Sequence, residues 1–238
     1  MPIPLKQAVK IGAYVMWQKL KGQERYPLVL MLEPLFRCNL ECIGCGKIQK
    51  PNEILNKNLT PDQCLDAANE CDAPVVSIAG GEPLMHPQII EIVEGLIKQK
   101  RYIYLCTNAL LLKNFFGKLP ISPYLTLSIH LDGLEDDHDR IVDKKGVFKI
   151  AVESVREAKK MGYRVTSATT FFEGTTVEQA ETFLDFLNPL GLDGVTLSSA
   201  FRYPDAPDQD HFFGRKRTQE FFKELLGKNK KGRWDISH

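Results

Sequence analysis

The feature that most constrains this chain is a beat of short apolar runs alternating with helical stretches. Leu28 to Leu32, Val75 to Ala79, Tyr102 to Cys106, Leu125 to Ile129, Arg164 to Thr169 and Gly194 to Leu197 read as strands. Gln88 to Lys100, Leu110 to Phe116, Val147 to Met161, Val177 to Leu187 and Lys216 to Leu226 read as helical. Thr60-Pro61-Asp62 opens a further helix after the first strand, with Thr as cap, Pro in the first turn and an acid facing the dipole. Such alternation implies a parallel sheet with right-handed crossovers. The strands lack strict polar alternation, as strands covered on both faces should. Six units are too few to close an eight-stranded barrel. The expected fold is α/β, a partial (β/α)6 TIM-like barrel with an N-terminal helical extension.

Three segments follow: residues 1–25 as an amphipathic helix, 26–227 as the barrel domain, and 228–238 as a basic tail. In the first, Leu5, Ala8, Val9, Gly12, Ala13, Met16, Trp17 and Leu20 recur at helical spacing among Lys6, Lys10, Lys19 and Lys21. That pattern reads either as a helix packed over the end of the domain or as a basic helix touching a membrane surface. The net charge of +1 argues against nucleic acid as a partner. No apolar run approaches the roughly 18 residues of a membrane span, and the N-terminus lacks the marks of a signal peptide. Six cysteines, three crowded into one motif and Cys64, Cys71 and Cys106 scattered among core-like segments, indicate a reducing, cytoplasmic setting.

The active site of such a sheet lies beyond the C-terminal ends of its strands. In strand order those ends carry Cys38-Asn39-Leu40-Glu41-Cys42-Ile43-Gly44-Cys45, Gly80-Gly81-Glu82-Pro83, Cys106-Thr107-Asn108, and His130-Leu131-Asp132-Gly133. Thr170, Phe171, Phe172 and Glu173, then Ser198, Ser199, Phe201, Arg202 and Tyr203, complete the series. Cys38, Cys42 and Cys45 can offer three thiolates to one iron-sulfur cluster and leave a fourth metal corner open.

Cys-x3-Cys-x2-Cys after the first strand with Gly-Gly-Glu-Pro after the second resembles the radical S-adenosylmethionine (SAM) superfamily. The resemblance implies a [4Fe–4S] cluster on Cys38, Cys42 and Cys45, with SAM as cosubstrate on the fourth iron. It implies reductive cleavage of SAM to methionine and a 5′-deoxyadenosyl radical, with a one-electron donor such as flavodoxin or ferredoxin. Gly80 and Gly81 would admit the methionine amine, Glu82 would accept nearby and Pro83 would stiffen the turn. Thr107, Asn108, Ser128 and Asp132 would lie near the ribose or methionine carboxylate, although each also reads as a turn or cap residue. The family's usual aromatic before the third cysteine is here Gly44.

Within the superfamily, residues 26–40 and 45–48, Gly12 to Val15 and Ala206 to Phe212 resemble the hopanoid-forming adenosylhopane synthase group. That likeness implies addition of the radical to the alkene of diploptene, a peripheral membrane contact, and longer relatives that continue past this chain's end. Phe171, Phe172, Phe201, Tyr203, Phe212 and Phe213 would line an apolar substrate site. The product radical then needs a hydrogen atom, and Cys106 is the candidate donor, with Tyr102, Tyr104 and Tyr203 as rivals and a buried strand thiol as the plain alternative. His138 and Asp139-Arg140 either hold the SAM carboxylate or cap a helix, and Glu135-Asp136-Asp137 reads as a solvated loop. Two other functions stay open, the first differing only in substrate and the second leaving Gly-Gly-Glu-Pro and the strand-helix beat without a use. One is a radical SAM enzyme abstracting hydrogen from a peptide or sugar. The other is a zinc module completed by His86 or His130.

Overall fold

The computed structural model describes residues 3–202, 205–206 and 209–237. In chain order they form α1 (Leu5–Leu20), β1 (Val29–Leu32), α2 (Asn52–Leu55), α3 (Pro61–Cys71), β2 (Val75–Ile78), α4 (Ile89–Lys98), β3 (Tyr102–Thr107) and β4 (Leu125–His130). Then follow α5 (Glu135–Ile141), α6 (Val147–Met161), β5 (Arg164–Phe171), α7 (Val177–Leu187), β6 (Val195–Ser199), α8 (Arg215–Lys228) and β7 (Ile236–Ser237). The strands pair in parallel and in sequence order, six of them as expected, with the two-residue β7 added beside β6. This is an open half-barrel of the TIM-like kind.

Local chemistry sets the helix starts. Thr60 and Gln63 form a capping box for α3, and Thr176 and Gln179 repeat it for α7. Asp139 caps α6 by accepting from the Phe148 amide at 2.8 Å, which settles the two roles weighed for it in favour of the cap. The acidic run is not a loop: Glu135, Asp136 and Asp137 are the first turn of α5, where carboxylates meet the positive end of the helix dipole. Leu110 to Phe116 shrinks to one 3-10 turn, Leu112–Phe115.

The two faces of the sheet differ. Val76, Ile78, Ile103, Leu105, Leu127, Ile129 and Val165 face the helices and join Ile92, Leu96, Val155, Phe183 and Leu184 in one core. Each such buried side chain contributes roughly 1.5–3 kcal/mol. Cys64 and Ala68 are buried in the same core, whereas Cys71 is half-buried at its edge. The other face is a row of small polar side chains, with Cys106 beside Ser128, Ser128 beside Thr166, and Thr170 beside Ser198. So the central strands do alternate, contrary to the expectation of two apolar faces. The inner face lines a cavity instead of packing against a second layer.

The ends are also organised. At the C-terminus Trp234 is buried, its indole N–H donating to Asp185 at 2.9 Å, and Arg233 donates to Glu181 at 3.0 Å. Residues 228–237 are therefore docked against α7. At the N-terminus α1 leans on the N-terminal ends of β3 and β4, where Gln7 donates to the Tyr104 hydroxyl at 3.4 Å. Lys10 bonds the Lys100 carbonyl, and its ammonium lies 5.5 Å from the Tyr102 ring centre. No helix among the described residues is long and apolar enough to cross a membrane.

Candidate active site

The cysteine loop leaves β1 and is fastened on both sides. The Ile43 amide donates to the Ile141 carbonyl at 2.8 Å, and the Cys45 amide to the Cys42 carbonyl at 3.1 Å. On its other side runs Gly80-Gly81-Glu82, with the Gly81 amide donating to Leu35 at 3.0 Å and the Glu82 amide to Arg37 at 2.9 Å. A Cβ on Gly80 would stand 2.2 Å from the Leu35 carbonyl oxygen, and one on Gly81 2.0 Å from that of Arg37. The glycines are thus required for backbone-on-backbone packing between the two loops, a role that sequence reading missed.

Glu82 is 1 % exposed and its carboxylate accepts three hydrogen bonds. They come from the Leu84 amide at 3.0 Å, the Thr107 hydroxyl at 2.8 Å and the Asn108 amide at 2.8 Å. Burial pushes its pKa up, and the three donors oppose that. Asn108 passes the connection on, its side-chain amide donating to the side-chain Oδ1 of Asn39 at 2.7 Å and lying 3.9 Å from Cys38 Sγ. Thr107 and Asn108 also receive the amides of Ala109 and Leu110. They thus form the turn that the sequence suggests as one of their two roles.

These elements enclose a cavity of about 480 Å³ at the C-terminal ends of the strands. Cys38, Cys42 and Cys45 line it together with Gly80, Gly81, Glu82, Cys106, Thr107, Asn108, Ser128 and Asp132, while Pro83 is buried behind it. His130, Thr170 and Ser198 complete its far wall. Phe172, Phe201 and Phe212 stand at its rim. Phe171 and Phe213 belong to the core instead, their rings each 5.2 Å from that of Phe221. Tyr203 lies outside the described residues. At Gly44, φ is +74° and an added Cβ would meet Phe212 at 3.0 Å. Phe212, distant in sequence, packs its ring over this glycine.

The donor set fits an iron-sulfur cluster. All three thiols are free and half-buried. Burial pushes Cys38 up to about 11 and Cys42 higher still, so thiolates here call for a compensating metal charge. Among the described residues no three His, Cys, Asp or Glu side chains gather round a single metal-ion position. His86 cannot complete a zinc site, because Nε2 lies 2.8 Å from the Leu59 carbonyl oxygen and Nδ1 accepts from the Gln88 amide at 3.1 Å. His130 is held by Asp132 at 2.5 Å, and the other Asp132 oxygen accepts from the Thr170 amide at 2.7 Å. Burial lowers the His130 pKa, but the Asp132 charge outweighs it and the net shift is upward. His138 does not reach the cavity. It is fully buried, and Nδ1 accepts from the Asp132 amide at 3.1 Å. Cys106 faces the cavity with its sulfur 3.6 Å from Ser77 Oγ, and burial pushes its pKa up.

Comparison with known proteins is consistent with this geometry. A probable GTP 3′,8-cyclase of Methanococcus maripaludis is 23% identical over 221 residues, covering 88% of this chain and 73% of the relative. The mycofactocin maturase MftC of Mycolicibacterium smegmatis is 26% identical over 161 residues, covering 66% and 41%. The structure of SuiB from Streptococcus suis bound to its precursor peptide SuiA superposes with a TM-score of 0.75 at 17% identity, over 98% of this chain and 52% of SuiB. The chain thus spans only about half of several proteins it matches.

These relatives overturn the hopanoid reading. They are cyclases and a maturase, not adenosylhopane synthases. The inner wall points the same way: it presents polar groups, among them Ser128, His130 and Thr170, to which a hydrocarbon polycycle offers no hydrogen bond. Diploptene, hopanoid biosynthesis and lipid metabolism are set aside with it. What stands is the frame on which three thiols, two close-packed glycines and a buried glutamate meet. The Radical SAM superfamily model matches residues 32–187, most of that frame, and the chain is a member of the radical SAM superfamily, with a [4Fe–4S] cluster and SAM as its cofactors.

Proposed function

We propose that this chain is the catalytic half-barrel of an enzyme that takes hydrogen from a polar substrate, a nucleotide or a peptide. The observation that carries the reading is the single cavity shared by Cys38, Cys42, Cys45 and the hydroxyl-lined wall of β4 to β6. The names of the relatives support it: GTP 3′,8-cyclases, a maturase, and a structure with a precursor peptide bound. When bound and reduced, the cluster supplies the electron that cleaves SAM to a 5′-deoxyadenosyl radical. The protein's part is to seat and shield. Cys38, Cys42 and Cys45 hold the cluster. Gly80, Gly81, Asn108, Ser128 and Asp132 present backbone and side-chain polar groups to SAM, and Glu82, Thr107 and Pro83 fix their positions. His130, whose pKa Asp132 holds above the ordinary value, offers a donor to the substrate.

Cys106 is read as the hydrogen-atom donor to a substrate-derived carbon radical. Its S–H bond breaks homolytically, a C–H bond forms, and a thiyl radical remains. One electron from a low-potential donor such as flavodoxin or ferredoxin, with one proton, restores the thiol. Burial keeps that thiol protonated and ready to donate.

The test is anaerobic reconstitution with iron and sulfide, reduction with SAM, and detection of 5′-deoxyadenosine by mass spectrometry, alone and with GTP or a peptide library. About four irons per chain and 5′-deoxyadenosine formation are expected, both lost in the Cys42→Ala variant. Protein that takes up zinc and no iron would overturn the reading.

A further inference from the structure

Helix α1 is mounted inside out. Its body-facing side is mixed: Gln7 is 3 % exposed, and Lys10, Ile11, Tyr14, Val15 and Gln18 are half-buried, with Tyr14 edge-on to Tyr26 at 5.9 Å. Its outward side carries large apolar residues, with Leu5 72 %, Val9 63 %, Met16 66 %, Trp17 57 % and Leu20 80 % exposed. At about 100° per residue these five fall within an arc of roughly 120°. The packed-helix reading of the sequence would bury this stripe, and the structure turns it to solvent instead.

Charge decides what covers it. Residues 3–23 contain Lys6, Lys10, Lys19 and Lys21 and no aspartate or glutamate. Lys10 points into the body, but Lys6, Lys19 and Lys21 are exposed beside the stripe, and the Lys21 ammonium stacks 5.0 Å from the Trp17 ring. An apolar stripe with an interfacial Trp, edged by lysines and free of acids, matches the boundary between anionic headgroups and acyl chains. A solvent-facing surface has no use for the stripe, and a second copy of the same cationic helix would repel it.

We propose that α1 seats this protein on an anionic phospholipid surface. Because α1 lies at the N-terminal ends of the strands, the cavity at their C-terminal ends then opens away from the bilayer, toward water. The helix is an anchor on this geometry and not an entry path for a lipid substrate. The inference stands apart from the catalytic proposal.

The experiment uses the whole chain with vesicles of phosphatidylglycerol mixed with phosphatidylcholine, and of phosphatidylcholine alone, reading co-sedimentation and tryptophan emission. Of the two tryptophans, Trp234 is buried at 2 % exposure, so emission reports on Trp17. Expected are a blue shift and binding to the anionic vesicles only, weakening with salt. Met16→Glu/Leu20→Glu should abolish both. Replacing Lys6, Lys19 or Lys21 by Gln should weaken binding about fivefold each. Circular dichroism and SAM cleavage without vesicles should be unchanged, since none of these side chains is buried. Unshifted Trp17 emission with anionic vesicles would overturn the proposal. So would a dimer that the Met16→Glu/Leu20→Glu variant splits, because the stripe would then belong to a second copy.

Discussion

The Asn108 side-chain amide donates to Asn39 at 2.7 Å and so ties the end of β3 to the cysteine loop. The same nitrogen lies 3.9 Å from Cys38 Sγ, within reach of a weak N–H to sulfur contact. Donors to cluster sulfurs raise a reduction potential and outer partners hold ligands in place. Asn108→Ala is therefore expected to retain iron less firmly and to shift the midpoint of an EPR-monitored redox titration to more negative values. Unchanged iron content and potential would remove the residue from the ligand network.

Gly81 cannot gain a side chain. Its Cβ would overlap the Arg37 carbonyl oxygen at 2.0 Å, and backbone on both sides leaves nothing flexible to give way. Gly81→Ala is expected to cost about 4 kcal/mol or more in denaturant unfolding. Gly12→Ala serves as the contrast, because nothing lies within 4 Å of that position on α1. It should be neutral or stabilising by about 0.5–1 kcal/mol.

The donor role proposed for Cys106 separates two readouts. In Cys106→Ala, SAM cleavage should continue, while the radical-quenched product per 5′-deoxyadenosine falls at least about tenfold. Equal product yield from the variant would return Cys106 to the status of a wall residue beside Ser77.

His138 makes stability depend on pH. Burial, and then the charge of nearby His130, lower its pKa to about 4 from the ordinary 6.5. Below pH 6.5 the unfolded chain binds a proton that the folded chain refuses, so this group removes stability as pH falls from 6.5 toward 4 and adds no further slope below that. The window corresponds to about 3 kcal/mol. Comparing urea unfolding of wild type and His138→Gln between pH 7 and 4 isolates the contribution. Parallel curves would show that His138 is protonated in place.

Much of this was legible in the sequence, for local reasons. Val147–Met161 and Val177–Leu187 form helices at the expected bounds because Gly162 closes one and the Thr176 capping box opens the other. The cysteine loop and the Gly-Gly-Glu-Pro turn were readable because each is contiguous. What escaped depends on partners far apart in the chain. Glu82 reads as an acceptor for a ligand, yet its carboxylate meets Thr107 and Asn108, 25 and 26 residues on. β7 has two residues and no pattern of its own, and exists only through its pairing with Val195 and Thr196. Phe212 could not be assigned to Gly44 without the fold. Periodicity located the stripe on α1, but nothing in it says which way the stripe points.

Gln7 meets the Tyr104 hydroxyl at 3.4 Å at the end of the half-barrel opposite the cysteine loop. Neither residue lines the cavity, so a change at this contact loosens the helix and leaves the cavity lining intact.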